Sequence, residues 1–241
     1  MLTGSFFIAV MFGASLGTNV WCFFRISGGL FNPAVTTAFV IVGAITPVRG
    51  VLLFITQLLG GLAGAALADV LTPGPLLAET TLGGGASVSR GFFIEFFMTF
   101  MLVTSILLLA GFKNRATFIA PLGIGLSFFI CEMFSVNYTG GSLNPARSLG
   151  PAATNHNFPS YHWIYWIAPL CGAALAAVFF LILKYLKYET NLGPDCDDDG
   201  FTYGYQLDMR DRMERVENHL ANLSTHYVPA GRQTEGSKVI A

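Results

Sequence analysis

Two Asn-Pro-Ala triplets, Asn32-Pro33-Ala34 and Asn144-Pro145-Ala146, carry the clearest chemical signal in the sequence. Asn is a strong helix N-cap and Pro is favoured at the first helical position, so each triplet predicts a helix that begins abruptly. A capping Asn uses its side-chain oxygen and keeps its amide N–H donors. The positive end of the helix dipole lies at the same point. The triplets therefore predict two matched groups of hydrogen-bond donors, which can bind a neutral molecule without any proton transfer.

The other chemistry-bearing residues do not form a recognisable enzyme or metal site. Arg147 directly follows the second triplet, and a buried Arg in a membrane is costly and usually functional. The four Cys residues show no CxxC spacing, and no nucleophile–base pair or metal-ligand cluster stands out. The sequence thus predicts neither enzymatic activity nor a cofactor. The four His residues fall in predicted loops, interfaces or the tail: His156, His162, His219 and His226.

The composition indicates a membrane domain followed by a polar tail. Of the 241 residues 53% are hydrophobic and only 11% are charged, against about 25% charged in a soluble domain. Residues 1–189 hold thirteen charged side chains, whereas the much shorter segment 190–241 holds fourteen. We therefore expect a membrane channel domain over residues 1–188 and a cytoplasmic tail over residues 189–241. The net charge of −1 argues against nucleic acid as a partner.

Five stretches are long and apolar enough to cross a bilayer, which takes about 20 residues. Two further apolar pieces, each beginning at an Asn-Pro-Ala triplet, are too short to cross and are predicted to be half-helices inside the membrane. The predicted spans are Thr3–Phe24, Gly50–Leu71, Gly91–Phe112, Phe118–Val136 and His162–Leu186, and the predicted half-helices are Asn32–Ile41 and Asn144–Ala153.

The loop charges predict how the chain lies in the membrane. If the spans alternate, six cationic residues fall on one side and only Arg90 falls on the other. The positive-inside rule then places the C-terminus in the cytoplasm and, with five spans, the N-terminus outside. The six are Arg25, Arg49, Lys113, Arg115, Lys184 and Lys187.

The two halves of the chain form an internal repeat. Gly28-Gly29-Leu30-Phe31 precedes the first triplet and Gly140-Gly141-Ser142-Leu143 precedes the second, at an offset of 112 residues. The first copy enters the membrane from the cytoplasmic side and the second from outside, so the copies are inverted. Inverted repeats with broken helices mark a translocation site near the midplane. Small residues four apart predict close helix contacts at Gly13/Gly17, Gly60/Gly64 and Gly172/Ala176.

These motifs together resemble the aquaporin (major intrinsic protein) family, and Phe23-Phe24-Arg25-Ile26-Ser27-Gly28-Gly29 looks particularly like its fungal members. The resemblance runs from about Phe6 to Tyr188. It implies an all-α membrane protein, an inverted-repeat helical bundle with two re-entrant half-helices that meet at the midplane. It further implies a homotetramer in which each protomer has its own pore. Here there are five full spans instead of six.

The resemblance also assigns roles to individual residues. The family's outer selectivity filter corresponds to Phe12, Glu132, Gly141 and Arg147. Glu132 departs from the pattern, because water-selective members usually have His there. Its carboxylate could neutralise part of the Arg147 charge, bond to Arg147 directly, carry a proton, or turn toward a neighbouring helix. Glu95 and Thr99 match residues behind the pore, where the family uses a Glu to support the second re-entrant loop.

The missing span is the family's first, and with it the counterpart of Glu95. We expect weaker support for the loop Ser27–Phe31, and a truncated sequence is the simplest explanation. In the tail, apolar residues recur at spacings of 4, 3, 4 and 3, which predicts a short amphipathic helix over about residues 208–224 that self-associates or lies on the membrane. Those residues are Met209, Met213, Val216, Leu220 and Leu223.

The leading functional prediction is a passive channel for water that also admits small neutral solutes such as hydrogen peroxide. Two alternatives stay open at this stage: a broader facilitator for glycerol and similar solutes, and a truncated homologue that does not conduct. The protein is expected to be a multi-pass integral protein of the plasma membrane or an internal membrane, with water, small neutral solutes and the lipid bilayer as its partners.

Overall fold

The computed structural model describes residues 2–111, 115–188 and 213–220. The chain divides into two units, Met1–Tyr188 and Glu189–Ala241. Within its described residues the first unit is helical and contains no strand. Its helices are α1 (Leu2–Ser27), α2 (Pro33–Ile41), α3 (Pro47–Leu71), α4 (Val88–Ile106), α5 (Ala120–Thr139), α6 (Pro145–Thr154) and α7 (Ile164–Tyr185). A π-helical turn, Leu107–Gly111, extends α4, and a 3-10 helix, Arg115–Ile119, leads into α5.

Five of these helices are long and apolar enough to cross a membrane: α1, α3, α4 with its π-helical turn, α5 and α7. The prediction of five spans is therefore confirmed, although the bounds differ by a few residues. For example, α1 continues to Ser27, past the predicted end at Phe24. By contrast, α2 has 9 residues and α6 has 10. At 1.5 Å per residue each is about 15 Å long, which is about half of the hydrocarbon thickness.

The helix contacts follow the inverted repeat. In the repeat α1 corresponds to α5, α2 to α6 and α3 to α7. The half-helix α2 packs against α7 and the half-helix α6 packs against α3, so each half-helix lies against a long helix of the other half. The helices α1 and α5, which correspond to each other in the repeat, also pack on each other. Because each half-helix packs against the opposite half of the repeat, the starts of the two half-helices come together.

Glycines set the separation of α1 and α5. A Cβ on Gly13 would lie 2.6 Å from the Gly125 carbonyl oxygen, and a Cβ on Gly125 would lie 2.6 Å from that of Gly13. No larger residue fits either position without moving a helix. The small-residue spacing of Gly13 and Gly17 predicted such a close helix contact at Gly13. The prediction for Gly60 and Gly64 is wrong within the described part of the chain, because a Cβ on either would meet no atom within 4 Å. Their neighbour Gly61 makes the close contact instead, against the backbone of Ala146.

In the second unit the structure describes only residues 213–220. They form a helix whose side chains are all exposed, including Met213, Val216 and Leu220. The rest of the helix predicted over residues 208–224 lies outside the described residues.

Candidate pore

Asn32 and Asn144 meet where the two half-helices begin. The Asn32 side-chain oxygen accepts the N–H of Ala34 at 2.8 Å and so caps α2. The Asn144 oxygen accepts the N–H of Ala146 at 3.0 Å and that of Arg147 at 3.4 Å, which caps α6. Both Asn residues have extended backbones and are followed by Pro, as the triplets predict. Two N-terminal helix ends, each with partial positive charge, therefore face each other.

The two Asn amides also hold the halves of the repeat together. Asn32 Nδ2 donates to the Leu143 carbonyl at 2.8 Å, and Asn144 Nδ2 donates to the Phe31 carbonyl at 3.1 Å. A primary amide has two N–H groups, so each Asn keeps a second one. From the sequence we expect the remaining N–H donors to point into the pore. The crossed bonds leave one N–H of each amide available to bind a molecule there.

A small cavity is lined in part by the Asn pair. It offers about 60 Å³ to the centres of water molecules. This volume is large enough to admit water molecules. The wall is mostly apolar, and its polar groups are the two Asn side chains and the backbone that precedes Asn32. Its apolar side chains include Val35, Phe39, Leu102, Ile106, Ile124 and Phe128.

Arg147 is fixed on two sides. Its Nη1 group donates to the Ala78 carbonyl, and its guanidinium carbon lies 5.1 Å from the centre of the Phe12 ring. The Phe12 ring is held in turn by an edge-to-face contact with Phe128, at 5.6 Å between ring centres. The Nε group of Arg147 is buried and has no partner among the described residues. Phe12 and Arg147, two of the four predicted filter positions, are therefore in direct contact.

Glu132 and Gly141, the other two predicted filter positions, are also in contact. The Glu132 side chain is fully buried, and a Cβ on Gly141 would overlap its carboxylate. Neither carboxylate oxygen has a hydrogen-bond partner among the described residues. The direct bond to Arg147, one of the alternatives considered from the sequence, is therefore not formed. The carboxylate occupies the space that a side chain at position 141 would take.

Glu95 supports the loop before the second half-helix. Its two carboxylate oxygens accept the backbone N–H groups of Ser142 at 3.0 Å and Leu143 at 2.7 Å. All three residues are fully buried, so these bonds satisfy donors that water does not reach. Thr99 lies one turn further along α4, also buried, and its hydroxyl has no partner in the described part of the chain. The structure thus places Glu95, but not the Thr99 hydroxyl, against the loop.

The loop before the first half-helix is held by Gln57, a role that was not predicted from the sequence. Gln57 Nε2 donates to the Leu30 carbonyl at 3.1 Å and to the Thr36 hydroxyl at 2.7 Å. Gln57 is buried in α3, where an isolated amide is costly unless it is bonded. Its polarity within an otherwise apolar span was the available signal. Gln57 donates hydrogen bonds to a carbonyl and a hydroxyl oxygen, whereas Glu95 accepts hydrogen bonds from backbone N–H groups. The two loops are therefore supported by opposite hydrogen-bond groups.

The described residues contain no group of three or more His, Cys, Asp or Glu side chains that could hold a metal ion. The polar groups at the cavity are the two Asn amides and the backbone that precedes Asn32. They can orient a small polar molecule through hydrogen bonds.

Comparisons with known proteins agree with this geometry. The family model of the major intrinsic protein matches residues 3–180. Aquaporin-7 of Botryotinia fuckeliana (strain B05.10) is 54% identical over 190 residues, which is 78% of this chain and 42% of the relative. Aquaporin-1 of the same fungus is 48% identical over 221 residues, which is 91% of this chain and 48% of the relative. The chain spans less than half the length of both.

Two further matches come from other organisms. The probable aquaporin-5 of Gibberella zeae is 52% identical over 193 residues, which is 80% of this chain and 35% of the relative. Among solved structures, the X-ray structure of the aquaglyceroporin from Plasmodium falciparum has a TM-score of 0.66 and 21% identity. The match covers 73% of this chain and 81% of that one, and it supports the fold alone.

Proposed function

The chain belongs to the major intrinsic protein family, and from this premise we propose that it is a passive transmembrane channel for water. Members of this family are passive channels and not enzymes. The observation that carries the proposal is the crossed pair of Asn amides in the wall of a small, mostly apolar cavity. Asn32 and Asn144 offer donors at one point, and the apolar wall offers a moving water little to bind elsewhere.

The Asn pair explains how water passes while protons do not. A water molecule that accepts an N–H from each Asn turns its own hydrogens away along the file. The two half-helices add a positive potential at the same point. A cation is therefore repelled and a chain of hydrogen bonds that could relay protons is interrupted. No side chain changes its protonation state, so the flow is passive and follows the osmotic gradient.

The proposed filter is Phe12, Glu132, Gly141 and Arg147, and its contacts favour small molecules. A Gly at position 141 would widen the path if its space were empty, but the Glu132 carboxylate fills it. Arg147 is held by the Ala78 carbonyl and the Phe12 ring and so does not swing aside. Both contacts favour water and other small neutral molecules such as hydrogen peroxide over glycerol.

Two alternatives to a water channel follow from the sequence. A broader facilitator for glycerol would need a wide filter, and the contacts of Glu132 and Arg147 argue against it. A truncated homologue that only assembles with or modifies full-length partners would not conduct, and the cavity beside the Asn pair argues against that. The homotetramer, the cytoplasmic C-terminus and the plasma or internal membrane remain part of this proposal, on the strength of the family and the loop charges.

Proteoliposomes that contain the full chain separate these functions. Stopped-flow light scattering measures how fast the vesicles shrink in a sucrose gradient and in a glycerol gradient. We expect water flux well above that of bare lipid vesicles, with glycerol flux close to the bare lipid value. Equal acceleration of glycerol would support the broader facilitator. No acceleration of either solute would support the non-conducting homologue and overturn the proposal.

A further inference from the structure

Three consecutive residues of the loop between α3 and α4 bond to the half-helix α6 and the turn after it; we name residues 78–80 the outer clamp. The Ala78 carbonyl accepts Nη1 of Arg147 in the first turn of α6. The Thr80 hydroxyl donates to the Ser148 hydroxyl at 2.9 Å. Thr80 is 3% exposed and Ser148 is fully buried, so water does not compete for this bond.

Glu79 lies between these two residues and bonds to the far end of α6. Its carboxylate accepts the side-chain amides of Asn155 and Asn157, one on each oxygen. Asn155 also donates to the Leu76 carbonyl at 2.8 Å. Hydrogen bonds to a charged carboxylate are roughly twice as strong as neutral ones. The outer clamp is thus hydrogen-bonded to the first turn of α6 through Thr80 and to the turn after α6 through Glu79.

These hydrogen bonds of Thr80 and Glu79 bear on the position of Arg147. The carbonyl that anchors Arg147 belongs to an irregular loop, and a loop is held only as firmly as its side-chain bonds hold it. Thr80 and Glu79 are the two residues nearest to Ala78 whose side chains make such bonds. Without the Ala78 carbonyl the guanidinium would lose this hydrogen bond and keep the contact with the Phe12 ring.

We propose that Glu79 and Thr80 are positioning residues, which hold the Ala78 carbonyl and through it Arg147, so that the outer clamp sets the size of solute that the pore admits. This inference rests on the proposed channel function and adds a determinant outside the filter itself. It predicts that the clamp changes selectivity more than it changes the flow of water, because water passes whether Arg147 is held or displaced.

The test compares two substitutions of Thr80 in the full chain. T80V removes the hydroxyl and keeps the shape, whereas T80S keeps the hydroxyl. Loss of one buried hydrogen bond shifts a two-state equilibrium by about fivefold, so we expect the ratio of glycerol to water permeability to rise about fivefold in T80V. T80S should keep the wild-type ratio. E79A, which removes both amide contacts, should raise the ratio at least as much.

The neighbouring Thr81, which is exposed, supplies the matched control. T81V makes the same chemical change in the same loop and should leave the ratio unchanged. A purely structural role of the outer clamp would lower both permeabilities together and leave their ratio constant, and this result would overturn the inference. Size-exclusion profiles of T80V, T80S and E79A identify any variant that does not assemble, and then the two remaining variants decide.

The two proposals fail in different ways. Wild-type vesicles that shrink no faster than bare lipid would overturn the channel function and this inference with it. Rapid wild-type water flux with the same ratio in T80V, E79A and T80S would overturn the inference alone.

Discussion

At the scale of single residues, the closest contact within the proposed filter is that of Gly141 with Glu132. The carboxylate packs directly over the glycine, so each residue determines what the other can be. Gly141 also has a φ of 64°, in the left-handed region that favours glycine. A long side chain from α5 therefore lies where a larger residue at position 141 would place its own side chain.

We expect G141A to lower water permeability by about tenfold, because a methyl group there overlaps the Glu132 carboxylate and displaces it within the proposed filter. The double variant E132A/G141A removes that overlap and should recover much of the flux. Stopped-flow shrinkage of proteoliposomes measures both. G64A is the control, because a Cβ on Gly64 meets open space. Equal flux in G141A and wild type would contradict the packing described here.

E132H tests whether Glu132 faces the path of the solute. An imidazole replaces a carboxylate that has no hydrogen-bond partner among the described residues, and it supplies a donor or an acceptor according to its tautomer. We expect the permeability to small neutral solutes other than water to fall relative to water. The measurement is the ratio of urea to water flux in vesicles. An active channel whose ratio does not change would place Glu132 outside the filter.

At the scale of elements, the half-helices are held by side chains of the long helices. Glu95 of α4 and Gln57 of α3 bond to the loops before α6 and α2, respectively. A short helix that starts inside the membrane leaves loop N–H and C=O groups where water cannot satisfy them. These two buried polar side chains supply the missing partners, which explains their presence in otherwise apolar helices.

The loss of the Glu95 carboxylate should destabilise the protein. E95A leaves the N–H groups of Ser142 and Leu143 buried without a partner, and we expect a loss of about 2–4 kcal/mol in the free energy of unfolding. Thermal unfolding in detergent measures this as a lower midpoint. S89A, an exposed change on the same helix, should shift the free energy by less than about 0.5 kcal/mol. A midpoint in E95A equal to that in S89A would show that the loop does not depend on Glu95.

The sequence predicted the helices better than it predicted their supports. Asn32 and Asn144 were predictable as caps, because Asn followed by Pro has a specific meaning at a helix start. The contact of Arg147 with Ala78 was not, since a backbone carbonyl leaves no signature in residue types. The sequence also left the state of Glu132 open between several alternatives, because sequence spacing places a side chain on a helix face without giving its rotamer; one of these alternatives, the direct bond to Arg147, is not formed.

At the scale of the whole molecule, the cationic residues of the first unit predict its orientation. The start of α3 lies beside the end of α1, since the Arg49 guanidinium donates to the Ser27 carbonyl at 3.1 Å, and Arg25 lies in the last turn of α1. Lys184 lies in the last turn of α7. The positive-inside rule assigns the ends that carry these charges to the cytoplasm.

This orientation predicts which face of the membrane exposes the C-terminal tail. In sealed membrane vesicles with the cytoplasmic face outward, protease should remove an epitope placed after Ala241. Vesicles of the opposite sidedness should protect that epitope until detergent is added, and this comparison is the control. Protection in the first preparation and cleavage in the second would reverse the proposed topology.

We propose above all that water crosses the membrane through the cavity lined by Asn32 and Asn144. The most direct test is the osmotic water permeability of proteoliposomes with a plug inside this cavity. V35W places an indole in the cavity wall, whereas V51W places one on α3, where Val51 is 60% exposed. We predict rapid shrinkage for wild type and V51W, and shrinkage close to the bare lipid rate for V35W. Rapid shrinkage of V35W vesicles, with the variant assembled as wild type, would contradict the claim.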